Sequence, residues 1–155
     1  MNNTEQNLIY GVGSPNGDDQ IGWIVVEKIR SRLPEGWNAK WGLVPMDLLN
    51  HLECVCELHI VDACEGEEAI GTVHRVEWPG QKLVTKSVAT SHDFALSMTL
   101  ELAASLGILP LHVTIWGIVG KRFAPSDSIS FSERDSQNIV EAIHHFISLE
   151  DISRA

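Results

Sequence analysis

Three segments of the chain carry side chains that bind cations or move protons. Asp18-Asp19 follow the glycine-rich stretch Gly11-Val12-Gly13-Ser14-Pro15-Asn16-Gly17, Asp62 closes the apolar run Leu58 to Val61, and His92 stands within Thr90-Ser91-His92-Asp93. Carboxylates and an imidazole drawn from three separate segments form a ligand set for a borderline divalent ion such as nickel or zinc, and equally a cluster that activates water. Each position also has a plain structural role. Asp18 can cap the following helix while Asp19 complements its dipole. Asp62 can accept from the amides of a turn, and His92 can be a surface or capping residue. The three together point to a site more sharply than any one alone.

These positions need elements to hold them. Leu8 to Gly13 reads as a buried strand ending in glycines, followed by a loop. Ile21, Ile24, Val25, Ile29 and Leu33 then recur at helical spacing until Pro34 stops the pattern. Ala39 to Val44 reads as a second strand, and Pro45 opens a short helix. Leu58 to Ala63 is a third strand, Cys64 to Glu68 a loop, and Ile70 to Trp78 a further strand before Pro79-Gly80. Gln81 to Thr90 is irregular. From Ser91 onward Leu96, Leu100, Ala103 and Ala104 mark a second helix with Gly107 as its C-cap. Leu111 to Trp116 is another strand. Ser132 and Asp135 have capping-box spacing ahead of a final helix carrying Ile139, Val140, Ile143, Phe146 and Ile147.

Strands alternating with helices predict a single α/β domain over residues 1–155, a three-layer arrangement with a mostly parallel, twisted sheet of about five strands and helices on both faces. Function in such sheets gathers at the carboxyl ends of the strands. The strand-end Asp62, the loop acids and the helix-start histidine all meet that criterion.

Composition narrows the partners. Among 155 residues, 21 are acidic and 11 basic, a formal net charge of −10, and no Lys/Arg cluster reverses it locally. That balance repels phosphate backbones and anionic lipid, so neither nucleic acid nor a membrane surface is an expected partner. The longest apolar stretch, Leu106 to Val119, is interrupted by Pro110, His112 and Thr114, so no transmembrane helix is expected. A cytoplasmic location and a monomer are the expectations. Cys54, Cys56 and Cys64 read as reduced thiols, and Cys54-x-Cys56 places two thiols on one face if the segment is extended, with no second pair to complete a zinc site. The loop spacing G-x-G-x-x-x-G departs from the dinucleotide fingerprint, and two carboxylates occupy the place of open amide donors, so no organic cofactor is expected there. His59, His112, His144 and His145 read as structural.

The same residues resemble a family, the hydrogenase maturation endopeptidases, which trim the carboxy-terminal tail from the large subunit of nickel–iron hydrogenases. The resemblance spans nearly the whole chain through Gly11-Val12-Gly13-Ser14-Pro15-Asn16-Gly17-Asp18-Asp19-Gln20-Ile21-Gly22, Val61-Asp62-Ala63, Ser91-His92 running into Leu96, and Trp116-Gly117-Ile118. It implies that Asp19, Asp62 and His92 are the nickel-contacting and catalytic residues. Nickel would be supplied by the large-subunit precursor. Ser14, where many members have asparagine, and Gln20, where glycine or alanine is common, depart from the family pattern without touching the trio. The chain contains no G-x-S-x-G elbow and no H-E-x-x-H helix, so the implied peptidase has no serine or zinc-peptidase centre. Two rivals are a non-proteolytic nickel-binding maturation chaperone using the same trio and a small-molecule α/β enzyme. Tight nickel binding by the free protein would mark the chaperone, and protection by a nucleotide would mark a nucleotide enzyme.

Overall fold

A computed structural model describes residues 4–79 and 91–154, with side chains for all of these except 91–94 and 154. Five strands form one sheet: β1 (Gln6–Val12), β2 (Trp37–Gly42), β3 (Val55–Glu65), β4 (Val73–Trp78) and β5 (His112–Gly120). Their order is β2-β1-β3-β5-β4, parallel throughout except that β4 runs antiparallel to β5. Among the described residues the α-helices are α1 (Ile21–Ile29), α2 (Ser91–Ser105) and α3 (Glu133–Arg154). Residues 81–90, read as irregular, lie outside the described residues. Among those described, no helix is long and apolar enough to cross a membrane.

Period-two alternation divides the central strands between two cores. Ile9, Val61, Ala63, Trp116 and Ile118 pack with α1 and α3 on one face. Leu8, Tyr10, Leu58, Ile60, Val113 and Ile115 pack with α2 and with Leu48 and Leu52 on the other. The three-layer α/β expectation therefore holds, and β1 and β3 read as continuous apolar runs because both their faces are covered.

Local signals are realised at the helix ends. Ser132 and Asp135 bond reciprocally, the Ser132 N–H donating to Asp135 Oδ2 at 2.8 Å and the Asp135 N–H to Ser132 Oγ at 3.0 Å. Gly107 takes φ +72°, and the amides of Gly107 and Ile108 donate to the carbonyls of Ala104 and Ala103, a Schellman closure of α2.

Pro45 opens the short helix expected of it, Pro45–His51, a 3-10 helix begun by the Asp47 N–H donating to the Val44 carbonyl. Two other segments differ from the sequence expectation. β3 continues through Cys64 and Glu65, which pair with Val119 and Gly120, so the glutamate- and glycine-rich composition is overridden by a neighbouring strand. Cys54 has φ +61° and precedes β3, so Cys54 and Cys56 do not share an extended strand face.

Candidate active site at the carboxyl edge of the sheet

The glycines set the geometry. A Cβ on Gly22, in the first turn of α1, would lie 2.3 Å from the Val12 carbonyl oxygen and 2.7 Å from that of Val61. A Cβ on Gly11 would lie 2.5 Å from the Gly22 carbonyl oxygen. The start of α1 is therefore seated directly on the end of β1 and on β3 at Val61, four residues before that strand ends, an approach open only to residues without side chains. Asp19 lies in the 3-10 turn Gly17–Gln20 that leads into this helix, and its carbonyl oxygen would be 2.3 Å from a Cβ on Gly13. Asp62 follows Val61 directly. The two acids thus come to one edge of the sheet, Asp19 half-buried and Asp62 buried.

His92 lies in the first turn of α2. The last turn of that helix leads into β5, which begins at the opposite edge with His112 paired to Glu57, so the first turn of α2 lies toward the carboxyl edge. The His92 side chain is outside the described ones. Among the described residues, no three His, Cys, Asp or Glu side chains are gathered as ligands for a metal ion.

Asp18 does something other than cap a helix. No side-chain cap closes either the 3-10 turn or α1. Instead the Asp18 carboxylate is buried and accepts three backbone N–H groups from the segment after β5: Lys121 at 2.7 Å and Arg122 at 2.9 Å on Oδ2, and Ser130 at 2.6 Å on Oδ1. Burial alone would raise its pKa, but these hydrogen bonds outweigh it and hold the carboxyl below its ordinary value. The Gly17 and Asp18 amides in turn donate to the carbonyls of Ser126 and Arg122. The loop bearing Asp19 is therefore pinned to the loop after β5, and its amides are engaged within the protein.

One nearby group escaped the sequence reading. Asp62 pairs with Gly117 across β3 and β5, and Gly117 pairs with His74 across β5 and β4, so the three form one row. Alternation puts all three on the α2 face, where Trp78 of β4 and Ile60 of β3 pack. His74 Nε2 meets Glu68 Oε1 at 3.1 Å. A Cβ on Gly117 would lie 3.4 Å from Cys64 Sγ and 3.9 Å from His74 Cβ, so the glycine leaves room for no more than a methyl between them. The polar position of His74 between Val73 and Val76 was the available signal.

His59 is structural, as expected. It is fully buried, its Nδ1 accepts from Trp116 Nε1 at 2.9 Å, and its Nε2 donates to Glu57 Oε1 at 2.8 Å. His144 Nε2 donates to the Arg32 carbonyl at 3.0 Å, tying α3 to the chain after α1.

No protein-family model and no curated protein matches the sequence. Solved structures do. The hydrogenase maturating endopeptidase HybD from E. coli superimposes with a TM-score of 0.70 at 20% identity, over 92% of this chain and 89% of that one. The [NiFe] hydrogenase maturation protease HybD from Thermococcus kodakarensis gives a TM-score of 0.70 at 19% identity, over 92% and 99%. A hydrogenase 2 maturation peptidase from a Thaumarchaeota archaeon gives 0.62 at 23% identity, over 96% and 98%. The chain therefore has the fold seen in these hydrogenase maturation peptidases.

Proposed function

We propose that the chain is an endopeptidase that removes the C-terminal extension of a nickel–iron hydrogenase large-subunit precursor after nickel insertion. The observation that carries this reading is the seating of Gly22 on Val12 and Val61, which brings Asp19 and Asp62 together on a fold shared with proteins named as hydrogenase maturation peptidases. In this reading Asp19, Asp62 and His92 contact nickel already held by the precursor, so the scissile bond is docked only after metallation. Hydrolysis then uses carboxylate-activated water or polarisation of the carbonyl by the substrate's nickel. The enzyme works as a cytoplasmic monomer and needs no organic cofactor.

The test mixes purified protein with nickel-loaded and nickel-free precursor and reads the precursor's mass. Loss of the tail from the loaded precursor alone is expected. A loaded precursor that keeps its tail, with tight nickel retention by the free protein in equilibrium dialysis, would instead favour a maturation chaperone.

A further inference from the structure

We propose that the apolar turn at the end of β2, Trp41 through Met46, is a docking surface for the precursor polypeptide: it takes apolar side chains of the precursor a few residues along the chain from the bond to be cut. The inference rests on the endopeptidase reading above and gives that site the surface that grips its substrate.

Trp41-Gly42-Leu43-Val44-Pro45-Met46 carries no charged side chain, in a protein whose formal net charge is −10. Trp41 is 44% exposed, Leu43 59%, Val44 51% and Met46 46%, the densest run of exposed large apolar side chains among the described residues. Single exposed apolar residues are ordinary, whereas a contiguous set marks a contact surface. The backbone beneath them is fixed. The Gly42 carbonyl accepts from Trp23 Nε1 at 3.0 Å, the Val44 carbonyl accepts from the Asp47 N–H at 3.1 Å, and Pro45 is buried. Trp41 lies against Trp23 with ring centroids 4.8 Å apart, and its own Nε1 donates to Glu27 Oε1 at 2.8 Å. Both indole N–H groups are thus satisfied within the protein. What the turn offers a partner is preformed and apolar, which keeps the ordering cost of docking low.

The patch adjoins the candidate site. A Cβ on Gly13 would lie 3.3 Å from Trp23 Nε1 and 2.3 Å from the Asp19 carbonyl oxygen, so the indole, the glycine and the turn bearing the acid are packed together. Gly11 pairs with Trp41 on one side and with Val61 on the other, which sets Trp41 level with the residue before Asp62. At about 4.8 Å per strand spacing, these two positions stand roughly 10 Å apart across the sheet, the reach of about three extended residues. A polypeptide with its scissile bond at the two acids therefore lays side chains about three or more positions away over the turn. That continuity favours the precursor as occupant. A second copy of this chain would bring a further charge of −10 to the same place and be repelled.

The experiment measures steady-state cleavage of nickel-loaded precursor by wild type, Leu43→Glu, Val44→Glu and Met46→Glu, with Leu111→Glu, an exposed apolar position at the opposite edge of the sheet, as control. Affinity for the loaded precursor is read by biolayer interferometry, oligomeric state by sedimentation and folding by the urea midpoint. A carboxylate placed in an apolar contact should raise KM and weaken affinity about 10- to 100-fold in each turn variant, with kcat within about threefold and the midpoint unchanged. Leu111→Glu should match wild type. KM and affinity within threefold of wild type in all three turn variants, or losses confined to kcat, overturn the docking surface and leave the endopeptidase reading intact. A wild-type dimer that Val44→Glu separates without changing KM assigns the patch to a second copy and overturns it too. Wild type that binds the loaded precursor without cutting it overturns the endopeptidase reading, and the affinities of the variants still decide the docking surface. Wild type that neither binds nor cuts overturns both.

Discussion

Gly22 and Val61 meet backbone to backbone: a methyl on the Gly22 α-carbon would lie 2.7 Å from the Val61 carbonyl oxygen, one residue before Asp62. Helix, strand and acid are therefore set by a single close approach. The Val12 carbonyl, 2.3 Å from the same point, closes the other side, so no side-chain rearrangement can relieve an added atom.

Gly22→Ala should consequently destabilise the fold although alanine is the better helix former. The propensity gain is about 1 kcal/mol, and forcing an atom between two backbone carbonyls costs more, about 2 to 3 kcal/mol net. Urea unfolding of both proteins would show the midpoint falling with an unchanged slope. A midpoint at or above wild type would mean that α1 is not seated on the strands as described.

Asp18→Asn tests the pin beneath the site. The substitution keeps the volume but turns one acceptor into a donor facing backbone N–H groups, so a loss of about 2 to 4 kcal/mol is expected at neutral pH. The sign of the pH dependence follows from a carboxyl whose folded pKa is lowered by its three amide partners despite burial. Its contribution is present above the ordinary aspartate range and disappears as pH falls through the lowered folded value. The stability gap between wild type and variant should therefore narrow as unfolding is followed from pH 7 down to pH 3. A gap constant across that range would remove the charge from the explanation.

What the sequence made legible divides by the range of the interactions involved. Ser132 with Asp135, and Gly107 closing α2, were readable because their partners lie within a few residues. The placement of Asp19 and Asp62 toward one side was readable because parallel α/β sheets run their strands in one direction, but Asp62 is not the strand end expected of it: β3 continues three residues past it, paired with β5. Asp18 was misread as a cap because its partners, Lys121, Arg122 and Ser130, lie more than a hundred residues away. His74 was invisible for a related reason. Its position in a row with Asp62 depends on β4 pairing with β5, which it precedes in the chain with α2 in between, and no local pattern encodes that order. Cys64 and Glu65 read as a loop from sequence because local composition carries no information about the Val119 and Gly120 that pair with them.

The assignment of Asp19, Asp62 and His92 predicts a common phenotype from three separate segments. Asp19→Asn, Asp62→Asn and His92→Ala should each lower processing of nickel-loaded precursor at least about 100-fold while leaving far-ultraviolet circular dichroism unchanged. Mass spectrometry of the precursor after fixed incubation times reads the effect. A variant that processes at the wild-type rate removes its residue from the site.

The buried trio Glu57, His59 and Trp116 makes a prediction about the core instead. Because Trp116 Nε1 donates to His59 Nδ1, the imidazole proton must sit on Nε2, where it meets the Glu57 carboxylate at 2.8 Å. One neutral ring thus links the indole of β5 to an acid within β3, with Trp37 edge-on and Phe146 tilted against it. His59→Leu removes the acceptor from a buried indole and the donor from a buried carboxylate in one step, so it should cost about 3 kcal/mol or more. Replacing Glu57 as well withdraws the charge that the ring had served. The double variant Glu57→Leu with His59→Leu should therefore be less destabilised than the sum of the two single variants by at least about 1 kcal/mol. A double-mutant cycle by urea unfolding measures this directly. Strict additivity would show that the imidazole and the carboxylate stabilise the core independently, and the tautomer inferred from Trp116 would then carry no energetic weight.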